Sequence, residues 1–234
     1  MKLKVKGDII VNDEKWIYDW IGWESCCPKD AEEAVAACAE GEELEVEISS
    51  GGGDVIAGSE IYSILSGYKG PLTITVTGLA ASAASVIAMA GHCEMARTAL
   101  MMIHNTASVA RGDYREMEHT AEVLRTANEA VRAAYRHKTG LDDKALSDMM
   151  DRETWITAEK AVEYGFADAV AGDTAETRIA ASFGNEMDGD KLARIRALIE
   201  KVRGGDKKAD NGSDAKARAE ADYKFMLLKG AQRR

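Results

Sequence analysis

Twice in succession this chain runs from a strand pattern, through a turn of small residues, into a helix pattern. Leu44-Glu45-Val46-Glu47-Ile48 alternates apolar and charged side chains, the signature of a half-buried strand. Ser49-Ser50-Gly51-Gly52-Gly53-Asp54 follows, and Ile56, Ile61, Ile64 and Leu65 then recur at helical spacing within residues 55–68. The second unit runs from an apolar strand at 72–77 through Gly78-Leu79-Ala80-Ala81-Ser82 into an apolar helix at 82–90. Strand patterns at 3–11 and 100–104 and a helix pattern at 31–39 extend the alternation. Such alternation favours an α/β fold of parallel strands with crossover helices.

The two turns are also where chemistry is expected. Ser82 stands where a strand becomes a helix, so its hydroxyl is accessible and the free N–H groups of the first helical turn lie beside it. That suits a nucleophile, since the same amides can receive the oxyanion it generates. The apolar run Leu100-Met101-Met102-Ile103 ends on His104, a position from which a general base can be presented. Close helix packing by small residues is the other reading of the Ser82 segment, with Ser85 the better packing candidate. A hydrogen-bonded core histidine is the other reading of His104. The glycine loop at 51–53 meets neither the dinucleotide nor the P-loop pattern. It serves either as a tight turn or as a loop whose bare backbone N–H approaches a reacting carbonyl.

Composition excludes several classes. A formal net charge of −10 argues against a nucleic-acid surface. The basic start Met1-Lys2-Leu3-Lys4-Val5-Lys6 leads into Gly7-Asp8 instead of an apolar core, so no signal peptide is read there. The longest apolar stretch, residues 79–91, is too short and serine-rich to span a bilayer. No membrane and no nucleic-acid partner is expected, and a cytoplasmic location is. Cys26, Cys27, Cys38 and Cys93 form no Cys-x-x-Cys pair, so reduced structural thiols are expected and no metal site. His92 beside Cys93 is not read as a metal or catalytic pair, because sequence neighbours rarely converge on one ligand.

In residues 113–137, Tyr114, Met117, Ala121, Leu124, Asn128, Val131 and Tyr135 recur at three- and four-residue steps. They make one stripe along a helix of about 36 Å. This is either a core-packing face or an oligomer seam; His119 and His137 on the same helix are read as solvent-facing. Composition shifts after Gly172: residues 191–202 can form a helix, 204–214 read as a polar linker, and 215–228 as another short helix. The division expected is a domain at 1–172 and a charged extension at 173–234.

These residues resemble the Clp protease proteolytic subunit and its relatives. The nucleophile motif Gly-x-Ala-Ala-Ser is matched by Gly78 to Ser82, and Met-Ile-His by Met102-Ile103-His104. The oxyanion loop Ser-Pro-Gly-Gly reads here as Ser50-Gly51-Gly52-Gly53. The downstream Ser-Ala-x-Glu-Ala-x-x-Tyr-Gly-x-x-Asp segment is similar to Thr157 through Asp168. The resemblance implies a crotonase-like spiral of βαβ units, a handle helix at the 113–137 stripe, and a homo-oligomeric ring acting on protein or peptide substrates without metal or organic cofactor. It implies Ser82 as nucleophile, His104 as base, and Gly53 and Ala83 as oxyanion donors. Aligning Trp155 with the family's aromatic puts Glu153 in the slot of the orienting acid, with Asp151 the alternative two residues earlier. The start at Gly7-Asp8-Ile9, the Gly51 replacement, Glu153-Thr154-Trp155 and the charged extension look more like the phage head-maturation branch, which leaves an ATP-driven unfoldase partner open. A housekeeping Clp-like subunit, a crotonase-type acyl-CoA enzyme and an inactive ring-forming scaffold are the alternatives.

Overall fold

The computed structural model describes residues 1–171; the predicted extension at 173–234 lies outside them. The elements run β1 (Lys2–Ile9), α1 (Lys15–Ile21), β2 (Ser25–Cys26), α2 (Pro28–Ala36), β3 (Leu44–Gly53), α3 (Val55–Ser66), β4 (Leu72–Ala81), α4 (Ala83–Ala88), β5 (His92–Ala96), β6 (Leu100–Ile103), α5 (Tyr114–Thr139), α6 (Asp143–Asp151), β7 (Thr154–Thr157), α7 (Ala158–Tyr164) and β8 (Ala169–Ala171). The α/β class and its parallel strands hold as predicted. The sheet runs β2-β1-β3-β4-β5-β8 with every neighbouring pair parallel, while β6 joins β4 in parallel and β7 pairs antiparallel with β6.

Two strands run further than their apolar patterns suggest. β3 continues through the glycine loop because the backbone at Gly52 and Gly53 still pairs with Asp8 and Ile9 of β1. β4 continues to Ala81 and changes partner on the way. Thr73 to Val76 pair with β5, and Leu79 to Ala81 pair with β6. The sheet therefore forks at Thr77-Gly78, and the end of β4 is carried toward the end of β6. Gly78 suits the fork, since a Cβ there would lie 2.8 Å from Ser49 Oγ.

Alternation along β3 and β4 sends Leu44, Val46, Ile48, Ile74 and Val76 into the core, where Ile61 and Leu65 of α3 meet them. α4 is buried along its whole length, as befits a run of alanines, Val86 and Ile87 with one hydroxyl. Asp54 caps α3 by accepting from the Ala57 amide at 2.8 Å, and Asp113 and Glu116 form a capping box on α5.

The stripe on α5 divides in two. Val131, Ala134 and Tyr135 are buried, and the Tyr135 ring meets Phe166 edge-on at 5.7 Å between centroids. Tyr114 and Met117, by contrast, are exposed. His119 and His137 face solvent as expected.

Asp168, the last residue of the Tyr-Gly-x-x-Asp segment, has a structural position. Its carboxylate accepts from the Cys93 amide at 2.7 Å and from Lys138 Nζ, and its amide donates to the Cys93 carbonyl. Burial alone would push this carboxyl up, but the Cys93 N–H and the Lys138 ammonium outweigh burial and hold it below its ordinary value. A group with a depressed folded pKa stabilises the fold above its unfolded pKa, and that contribution disappears as pH falls through the folded value. Asp168→Asn should thus lower the urea midpoint at pH 7, with the gap to the parent protein closing below about pH 4, near the unfolded carboxylate value. A gap independent of pH would show that the charge is not what matters.

Candidate active site

Ser82 lies at the turn between β4 and α4 with φ 54° and ψ −124°, a region that a non-glycine residue seldom occupies. Its surroundings hold it there. The Ser82 amide donates to the Met102 carbonyl of β6 at 3.0 Å, and its carbonyl accepts from the Ser85 amide at 3.0 Å and the Ser85 hydroxyl at 2.6 Å. The bond to Met102 places the turn beside the end of β6, and His104 follows two residues later. His104 Nε2 and Ser82 Oγ are 2.7 Å apart. The two predicted side chains thus meet at hydrogen-bond distance.

The glycine loop packs against the same turn. Gly52, at φ +100°, approaches so closely that a Cβ there would lie 2.7 Å from both the Ala81 carbonyl oxygen and Ser82 Cβ, and 3.1 Å from the Ala83 nitrogen. Only a residue without a side chain allows this approach. Ser50 fixes the loop by donating to the Gly7 carbonyl at 2.6 Å while accepting from the Gly52 amide at 3.1 Å. Gly53 lines a pocket of about 170 Å³ with Ser82, His104, Val55, Val86 and Val131. Ala83 opens α4 directly after Ser82. Gly53 thus shares a pocket with Ser82, and Ala83 adjoins Ser82 in the chain.

Neither candidate acid hydrogen-bonds His104, whose ring bonds Ser82. Asp151 Oδ1 accepts from Asn105 Nδ2 at 2.7 Å, and Glu153 Oε1 accepts from Trp155 Nε1 at 3.3 Å. The β6–β7 register pairs Ile103 with Thr154, so one further step sets Glu153 across from His104. Glu153 has φ 50° and sits just outside the ladder.

The fold agrees with the matches to known proteins. The Clp protease family matches residues 34–174. The chain belongs to the Clp protease family. It is 34% identical over 142 residues to the ATP-dependent Clp protease proteolytic subunit of Deinococcus radiodurans, a match that takes in 58% of this chain and 69% of that one. The corresponding subunit of Bacteroides fragilis is 36% identical over 135 residues, covering 56% of this chain and 64% of that protein. A mutant of ClpP1 from Listeria monocytogenes superimposes with a TM-score of 0.60 at 20% identity, over 74% of this chain and 92% of that one, a likeness that concerns the fold. This Clp family member has no group of metal-ligating side chains among its described residues, and none of its described helices is long and apolar enough to cross a membrane.

Sequence reasoning missed that Thr106, Val131 and Tyr135 line the pocket with Ser82. The last two belong to the helical stripe, whose buried end adjoins the pocket. Nothing in the sequence marks Thr106.

Gly52→Ala should displace the Ser82 turn. Reaction of Ser82 with a fluorophosphonate should slow on the order of 10²-fold, the penalty of a misplacement near 1 Å. Gly51→Ala, where a Cβ meets nothing within 4 Å, should react at the parent rate.

Proposed function

We propose that this chain is a serine endopeptidase of the Clp type. The observation that carries the proposal is the 2.7 Å contact between Ser82 Oγ and His104 Nε2 at a strained strand-to-helix turn. For Oγ–H to donate, Nε2 must be unprotonated, which leaves the ring proton on Nδ1. Ser82 attacks the scissile carbonyl as its proton passes to Nε2, and the imidazolium then delivers that proton to the leaving amine. The Gly53 and Ala83 N–H groups hold the oxyanion. Water, activated by His104, attacks the acyl-enzyme carbonyl and releases the second product. Val55, Val86 and Val131 give the adjoining pocket an apolar lining, which favours an apolar side chain next to the scissile bond. Glu153 is the orienting acid in this reading. It accepts from Nδ1–H after leaving Trp155, a short movement given its register opposite His104.

Family membership supports a ring of identical subunits acting on protein substrates, with the exposed first turns of α5 as its seam. We further assign the protein to the phage head-maturation branch, acting on capsid or scaffold protein in the host cytoplasm. Gly51 in place of the loop proline and the Glu153-Thr154-Trp155 sequence support that narrower assignment. In the same reading residues 1–172 are the peptidase domain and 173–234 an extension to it. Trimming of a co-expressed scaffold protein by the parent chain but not by Ser82→Ala tests it.

The triad is tested by phosphonate labelling and peptide turnover. His104→Ala should lower both by roughly 10²–10⁴-fold, the usual contribution of a general base. His92→Ala should label and turn over peptide at the parent rate. Glu153→Gln should reduce turnover by several orders of magnitude with the fold intact, through loss of the correct tautomer, while Asp151→Asn should not. The opposite result would move the acid to Asp151, and no effect from either would leave a Ser82–His104 dyad.

Assembly is tested at Met117, which is exposed. Met117→Asp would bury an unpaired charge in the seam, so light scattering should report smaller species. A parent-sized particle would exclude this turn from the interface.

A further inference from the structure

Helix α5 touches the site at two points, seven residues apart on one face. Tyr135 OH and Ser85 Oγ are 2.8 Å apart, and Ser85 Oγ is also 2.6 Å from the Ser82 carbonyl oxygen. The Ser85 hydroxyl has one proton and the carbonyl can only accept, so that proton goes to Ser82 and Tyr135 must donate to Ser85. Both hydroxyls are buried, so the chain Tyr135 to Ser85 to Ser82 is shielded from water, which would otherwise compete for its bonds. Two helical turns earlier, Asn128 Oδ1 accepts from the Thr106 amide at 2.7 Å and from the Thr106 hydroxyl at 2.9 Å. Thr106 is two residues past His104. Between these contacts Val131 forms part of the pocket wall.

Positions 128 and 135 differ by 700° of helical rotation, which is within 20° of the same face, and are separated by about 10.5 Å along the axis. One rigid segment thus holds the nucleophile's turn at one end and the base's loop at the other. We propose that Asn128 and Tyr135 are positioning residues, and that α5 acts as a clamp setting the Ser82–His104 spacing. Its catalytic meaning rests on the proposed serine-peptidase reading.

The test uses the full chain, with crystal structures and phosphonate labelling of each variant. Tyr135→Phe keeps the ring, its contact with Phe166 and the pocket wall, and removes only the hydroxyl. Asn128→Leu removes the acceptor while keeping the branched four-atom outline, whereas Asn128→Asp retains the acceptor. Tyr135→Phe and Asn128→Leu should each reduce the maximal labelling rate about three- to tenfold, the range one hydrogen bond is worth, with the concentration for half-maximal rate unchanged. Asn128→Asp should restore the rate. In crystals of Tyr135→Phe and Asn128→Leu, Ser82 Oγ and His104 Nε2 should lie beyond hydrogen-bond distance. Unchanged spacing and unchanged rate, or a lower melting temperature alone, would overturn the clamp. If the parent protein resists the phosphonate while the variants still part the two side chains, the clamp stands and the peptidase reading falls.

Discussion

The Ser82 amide donating to the Met102 carbonyl joins the two ends that make the site. β4 reaches β6 only because it leaves β5 after Val76, and its last three residues pair with Leu100 to Met102. Without that fork, the turn at Ser82 would not lie beside His104. The turn itself is strained, at a cost of order 1–3 kcal/mol for such a backbone conformation. Bonds to Met102 and Ser85, together with the close seat on Gly52, hold it in place. Removing any one of these lets the strain relax by moving the hydroxyl, so the residues around Ser82 are coupled to it more tightly than contact alone implies.

Much of this was legible in the residue order. Alternation at 44–48 and the apolar run at 72–77 located the central strands, and the small residues after each located the turns. Ser82 and His104 stood out because each ends a strand. The fork was not legible, since it depends on which neighbour each half of β4 pairs with, and side-chain periodicity carries no information about lateral partners. The reach of β3 through Gly51-Gly52-Gly53 was hidden for a related reason: glycines have no side chain to alternate, although their backbone still pairs with β1.

The α5 stripe was visible as a period but not as a destination. Its seven positions look alike in sequence, yet the first two face outward and the last two are buried beside the site. Asn128 and Tyr135 counted there only as members of a face, and their polar atoms acquired meaning from partners far away in the chain, Thr106 and Ser85. A long-range hydrogen bond leaves no mark at either end of a single sequence.

The acid was the least legible element, and the fold explains why. Ser82 and His104 are each held by interior parallel strands with buried neighbours, so their spacing is set by the core. Glu153 adjoins β7, which among the described residues pairs with β6 alone and presents a half-exposed Trp155. A carboxylate on such a margin has water as a competing partner, and its bond to an exposed indole is weak compared with a charge-assisted bond to an imidazole N–H. Ser82 and His104 are thus set by the interior, whereas Glu153, the proposed third member, is placed beside a strand that among the described residues pairs on one side alone.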